Sequence, residues 1–180
     1  FIFSDTILSY SEEKLYGENV VYTKSSPYQR IVLTRNTHEF RLYLNNNLQF
    51  SSTDEYRYHE ALVHPAMSMA KNIDNVLILG GGDGFAAREV LKYKDVKKIT
   101  LVDLDGEMTQ FFKTNETMRK LNQSSFSNPK VEVINKDAYI WVKENKKKFD
   151  VIIIDFPDPS NYSLGKLYSL QFYKELEKLT

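Results

Sequence analysis

Between residues 75 and 155 four short apolar runs alternate with stretches of helical spacing, and this rhythm constrains the fold more than any other feature. The runs are Val76–Leu79, Ile99–Val102, Val131–Ile134 and Val151–Ile154. Continuous apolar runs of this length suit strands buried on both faces. Between them lie Ala86–Leu91, a helix expected from Gly106 to Lys120 with Met108, Phe111 and Phe112 on its apolar side, and Ala138–Glu144. Strands that alternate with helices predict a parallel sheet with right-handed crossovers. Ser169 is placed to cap a last helix carrying Leu170, Phe172, Tyr173, Leu176 and Leu179.

The first part of the chain reads differently. Residues 1–27 form a linker with a short helix from Ser4 or Asp5 through Leu15, ended by Gly17. Residues 28–52 read as a small antiparallel sheet. Gln29–Thr34 and Glu39–Leu44 are β-rich, Asn45–Asn47 turns, and Leu48–Phe50 returns. Ser52 and Glu55 have capping-box spacing, so a helix with Tyr56, Tyr58, His59, Leu62 and Val63 follows, broken or restarted at Pro65. The fold class is therefore α/β, with residues 53–180 as the parallel-sheet domain.

Composition excludes several functions. With 24 basic and 24 acidic side chains the net charge is zero, which argues against nucleic-acid binding. The chain has no Cys, so it has no disulfides, thiolate metal sites or thiol nucleophiles. No apolar run approaches the ~18 residues of a membrane span. His59 and His64 are five apart and fall on different helix faces, which is not a zinc motif. His38 reads as a turn residue, His64 as a helix-end cap, and Lys143–Lys148 as a solvated helix end. No metal is expected.

In an open parallel sheet ligands bind beyond the carboxyl ends of the strands. Here those ends carry a glycine loop or an acid. Gly80-Gly81-Gly82-Asp83-Gly84 follows the first strand. Gly80, Gly82 and Gly84 suit a nucleoside loop of the methyltransferase type, while Gly82, Gly84 and Ala87 also fit a dinucleotide fingerprint. Asp103 lies 19 residues after Gly84, a suitable distance for a carboxylate that accepts from both ribose hydroxyls. Asp105 and Asp137 fit helix caps as well as ligands. Asp155-Phe156-Pro157-Asp158-Pro159 puts two carboxylates around a proline turn. Crowded carboxylates raise each other's pKa, which suits proton transfer or a cationic ligand.

Asp83 discriminates between ligands. A carboxylate beside the glycine loop repels the carboxylate of S-adenosylmethionine and attracts the bare aminopropyl cation of its decarboxylated form.

These segments, with Arg88-Glu89-Val90-Leu91, Asp103-Leu104-Asp105, Tyr28-Gln29 and Asp54-Glu55-Tyr56-Arg57-Tyr58-His59-Glu60, resemble the spermidine synthases, or polyamine aminopropyltransferases. The wording of residues 26–35 and 47–52 is most similar to the bacterial branch whose catalytic domain follows a block of membrane helices. The resemblance implies a methyltransferase-like Rossmann sheet behind a small antiparallel one. It implies aminopropyl transfer from decarboxylated S-adenosylmethionine to a diamine, usually putrescine, giving spermidine and methylthioadenosine. By matching positions, Gln29, Gly80, Gly82, Asp103, Asp137 and Ala138 hold the nucleoside, and Asp83 binds the aminopropyl amine. Tyr58, His59 and Asp158 line the polyamine channel, and Asp155 takes the proton. A homo-oligomer is left open.

The chain departs from the family wording at Phe85 and at Phe156-Pro157, and bulk at Phe156 is expected to reshape the acceptor end. The alternatives are a methyltransferase acting on a small amine and a non-catalytic nucleoside- or polyamine-binding domain. Because Val151–Ile154 is wholly apolar and no later strand follows it, the sheet reads as truncated after its fourth strand. The native protein is expected to continue past Thr180, or another chain to cover this edge. The full-length protein is expected to be anchored in a bacterial membrane with its catalytic domain in the cytoplasm.

Overall fold

The computed structural model describes residues 14–159 and 162–180. The chain divides into two compact units, residues 1–57 and 58–180.

In the first unit four strands form an antiparallel sheet in sequential order: β1 (Asn19–Ser25), β2 (Arg30–Arg35), β3 (Phe40–Leu44) and β4 (Asn47–Ser51). Three of them match the sequence reading. β1 falls within the segment read as a linker, although Val20, Val21 and Thr23 are strand formers. Asn45 and Asn46 both adopt positive φ in the β3–β4 turn, as their tolerance of that region allows. The sheet buries Ile31, Val32, Leu33, Leu42 and Phe50. Most of the helix expected before Gly17 lies outside the described residues; residues 14–16 are helical, and Gly17 follows at φ +63°.

Helix α1 (Glu55–Met69) runs straight through Pro65. Proline removes one hydrogen bond, but buried Val63 and Met67 on either side hold the helix together. Ser52 does not cap it from a capping box as read. Its hydroxyl accepts from the Phe40 N–H at 2.9 Å and extends the β3–β4 pairing by one residue.

The second unit is a parallel sheet in the order β7–β6–β5–β8, with β5 (Asn75–Gly80), β6 (Lys98–Asp103), β7 (Val131–Asn135) and β8 (Val151–Asp155). Its helices are α2 (Phe85–Val90), α3 (Gly106–Thr114), α4 (Glu116–Leu121), α5 (Ala138–Glu144), α6 (Tyr162–Gly165) and α7 (Leu170–Glu177). The single helix expected over 106–120 is two. Asn115 has extended ψ, and its side chain accepts from the Thr117 and Met118 N–H groups, which ends α3 and caps α4.

Alternation along β5 sends Leu77 and Leu79 to a core shared with Val142, Phe172 and Leu176. Phe85 and Phe112 are fully buried, with ring centroids 5.8 Å apart. Among the described residues β8 pairs with β5 alone. β5 therefore has β6 on one side and β8 on the other, and the strand order reverses at this point. That is where an open parallel sheet leaves a crevice at its carboxyl end. Among the described residues no helix is long and apolar enough to cross a membrane.

Candidate active site

The register decides which carboxylates meet. Gly80 is paired with Asp155 at the ends of β5 and β8. The glycine loop then runs over the strand ends so closely that side chains would not fit. A Cβ on Gly80, at φ +84°, would lie 2.0 Å from the Asp155 carbonyl oxygen. On Gly82 it would lie 2.8 Å from the Asp103 carboxyl carbon. The glycines thus let one stretch of backbone pass between two acids.

Asp103 is held by that backbone. One oxygen accepts from the Gly82 N–H at 3.0 Å and the other from the Asp105 N–H at 2.8 Å. Burial, reinforced by the nearby Asp83 and Asp105 charges, outweighs these bonds and lifts its pKa to about 6. Asp105 caps α3 by accepting from the Glu107 N–H at 3.1 Å.

On the other side of the loop, His59, Asp83 and Asp155 bring their ligand atoms within 4.8 Å of one another. His59 Nε2 is 4.0 Å from an Asp83 oxygen, and its ring is 5.1 Å from that of Phe85. The Tyr58 hydroxyl donates to Asp155 at 2.8 Å. Burial raises the Asp155 pKa, opposed by His59 and by the Tyr58 hydroxyl. Burial and the Asp155 charge push the Tyr58 phenol well above its ordinary range. Two carboxylates and an imidazole at this spacing attract a cation, an ammonium group as well as a metal ion.

The remaining expected residues are spread more widely. Asp137 caps α5 by accepting from the Tyr139 N–H at 2.8 Å, and its other oxygen takes Lys166 Nζ at 2.7 Å. Burial opposes ionisation, but the Lys166 contact and the helix N–H groups hold its pKa below the usual value. Ala138 begins that helix and is buried. Asp158 is exposed. Gln29 lies in the first unit, where its N–H donates to the Ser26 hydroxyl in the turn before β2. Phe156 packs on Phe172 with centroids 6.1 Å apart, and one ring carbon lies 3.2 Å from the position of a Gly80 Cβ. Its bulk therefore serves the core beneath the loop.

Several supporting residues carried no sequence signal. Asn122 is fully buried and donates to the Asp83 carbonyl at 3.0 Å and to that of Phe112 at 3.2 Å. The Ser125 hydroxyl donates to the Gly84 carbonyl at 2.8 Å. The Tyr168 hydroxyl donates to the Pro157 carbonyl at 2.8 Å, steadying the proline turn. His64 is not a helix-end cap. It lies within α1, with Nε2 3.2 Å from Glu89 and Nδ1 2.9 Å from the Tyr93 hydroxyl. Partners 25 or 39 residues apart leave no periodic trace in a sequence.

Comparison with known proteins agrees with this fold. The model of the spermine/spermidine synthase domain matches residues 55–180. A polyamine aminopropyltransferase of Leptospira interrogans is 53% identical over 178 residues, covering 99% of this chain and 36% of that protein. Polyamine aminopropyltransferase 2 of Ralstonia nicotianae is 53% identical, covering 99% of this chain and 35% of that protein. The chain thus spans about a third of the length of these relatives. A crystal structure of spermidine synthase with the transition-state analogue AdoDATO matches with a TM-score of 0.80 at 35% identity, over 89% of this chain and 54% of that one. The spermidine synthase of Thermotoga maritima matches with a TM-score of 0.80 at 32% identity, over 89% and 53% of the two chains. Fold, glycine loop and domain match agree, and the chain belongs to the spermine/spermidine synthase family.

Proposed function

We propose that this chain carries the catalytic site for aminopropyl transfer from decarboxylated S-adenosylmethionine to a diamine such as putrescine, releasing spermidine and methylthioadenosine. The observation that carries the reading is the convergence of Asp83, His59, Tyr58 and Asp155 at the end of β5, on the opposite side of the glycine loop from Asp103.

The nucleoside takes the Asp103 side. Each Asp103 oxygen accepts one backbone N–H and keeps a second lone pair for a ribose hydroxyl. Gly80 and Gly82 supply the bare backbone beside it. Asp137 and Ala138 complete the nucleoside contacts of the parallel-sheet unit, as the resemblance implies. Asp83 takes the aminopropyl ammonium. Tyr58, His59 and Asp158 receive the diamine.

A primary amine with a pKa of ~10 is almost wholly protonated at neutral pH and cannot attack carbon. Asp155, its pKa raised by burial, takes that proton. The freed nitrogen lone pair attacks the methylene carbon next to the sulfonium. The new C–N bond forms as the C–S bond breaks, and its electron pair leaves on sulfur as a neutral thioether. Sulfonium is already a good leaving group, so positioning and charge compensation supply the rate. The name of the AdoDATO-bound neighbour supports the donor. Attachment of the full-length protein to a bacterial membrane rests on the sequence resemblance alone.

The test incubates the full-length protein with putrescine and labelled donor, decarboxylated or not. Methylthioadenosine formed only from the decarboxylated donor is expected, and Asp155→Asn should bind methylthioadenosine yet lose turnover at pH 7. Formation of S-adenosylhomocysteine would identify a methyltransferase, and binding without turnover a non-catalytic domain.

A further inference from the structure

We propose that Glu89 is a positioning residue that, through His64, locks α1 to α2 and so holds Tyr58 and His59 against Asp155 and Asp83. The role in catalysis rests on the aminopropyl-transfer reading.

Glu89 is 1% exposed, an unusual place for a carboxylate outside a ligand site. One oxygen accepts from Arg88 Nε at 2.9 Å. The other lies 2.5 Å from Lys92 Nζ and 3.2 Å from His64 Nε2, close polar contacts rather than aligned hydrogen bonds. Arg88 and Lys92 flank Glu89 on its own segment; His64 alone among these partners comes from α1. His64 is fixed from both ends, since Nδ1 meets the Tyr93 hydroxyl. A second, exposed link joins Glu60 to Lys92 at 3.6 Å.

Holding a buried carboxylate against half-exposed polar partners adds little stability over well-packed apolar groups, because desolvation offsets the attraction. What it adds is uniqueness of arrangement. An apolar contact tolerates a small rotation of α1, whereas His64 can meet both Glu89 and Tyr93 in one rotation only. The reacting end of α1 lies one to two turns away. Turning a helix by about 20° moves a side-chain tip on its ~5 Å radius by about 2 Å. That is enough to break the 2.8 Å bond from Tyr58 to Asp155.

The test uses the full-length protein with Glu89→Leu, His64→Leu, the double variant and Glu89→Gln. Each single Leu variant should lower kcat/KM for putrescine by about tenfold or more while leaving methylthioadenosine affinity within about twofold. The double variant should lose no more than the worse single, because both act through one contact. Glu89→Gln, which still offers an acceptor to His64, should recover part of the loss. Multiplying losses in the double variant, or equal loss of methylthioadenosine binding, would overturn the proposal. Crystal structures of wild type and Glu89→Leu decide the clamp without turnover. A Tyr58–Asp155 separation beyond 3.5 Å in the variant supports it, and an unchanged bond overturns it. Wild type that makes no methylthioadenosine refutes the aminopropyl-transfer reading instead, and the crystal distance still decides the clamp.

Discussion

Replacing Gly82 with alanine tests the link between the glycine loop and Asp103 directly. Unlike Gly80, Gly81 and Gly84, Gly82 does not adopt positive φ, so Gly82→Ala adds a methyl group without backbone strain. That methyl would lie 2.8 Å from the Asp103 carboxyl carbon and from one of its oxygens. Ordinary van der Waals contact begins at 3.4 Å, so the carboxylate must retreat by about 0.6 Å. It is held on that side by the Gly82 N–H at 3.0 Å, and the retreat stretches this bond to the limit of hydrogen bonding. A hydrogen bond to a charged group contributes about 1.5–3 kcal/mol, so the variant should lose about 2 kcal/mol of stability. For a chain of this size that is a fall in Tm of about 4–8 °C. In the proposed nucleoside site the displaced carboxylate also misses the ribose hydroxyls, so methylthioadenosine should bind about tenfold more weakly. Thermal unfolding and titration calorimetry on the same preparation read both effects. Unchanged Tm and Kd would refute the steric reasoning. A lower Tm with unchanged Kd would remove Asp103 from the nucleoside site.

Other consequences follow from the same geometry. Tyr58→Phe deletes the hydroxyl that donates to Asp155, which should raise the Asp155 pKa further, move the acid limb of the kcat profile to higher pH and cut kcat at pH 7 about tenfold or more. Asp103, held at about 6, gives opposite pH slopes in two measurements. Between about pH 4 and 6 the folded chain binds its proton more tightly than the unfolded chain, so its contribution to stability is full below this window and is lost as pH rises through it. Ribose hydroxyls prefer the ionised acceptor, so methylthioadenosine affinity should rise across the same window; Asp103→Asn should flatten both slopes. Asn122→Leu leaves the carbonyls of Asp83 and Phe112 without their buried donor, and chemical denaturation should show a loss of about 2–4 kcal/mol.

The apolar runs at 76–79, 99–102, 131–134 and 151–154 were enough to read four parallel strands, because a strand buried on both faces must be apolar throughout. The acids at the strand ends were legible for a related reason: a charge directly after an apolar run marks the point where a chain leaves the core. Caps obey equally local rules, so Asp105 and Asp137 could be read as such, and Asn115 could have been. Strand β1 was missed for want of alternation, and Pro65 misled because tertiary packing outweighs one lost hydrogen bond.

Strand order lies beyond such local rules. Only the folded sheet puts β8 beside β5, so only it pairs Gly80 with Asp155 and brings Tyr58, 97 residues away, to the same carboxylate. The sequence by itself determined that the chain forms a parallel sheet with glycine and carboxylates at its working edge, because those choices follow from burial and backbone freedom residue by residue. Which carboxylates face one another, how far burial lifts Asp103 and Asp155, and how His64 and Glu89 come together depend on desolvation and on distances between remote segments, and those quantities exist only once the chain has folded.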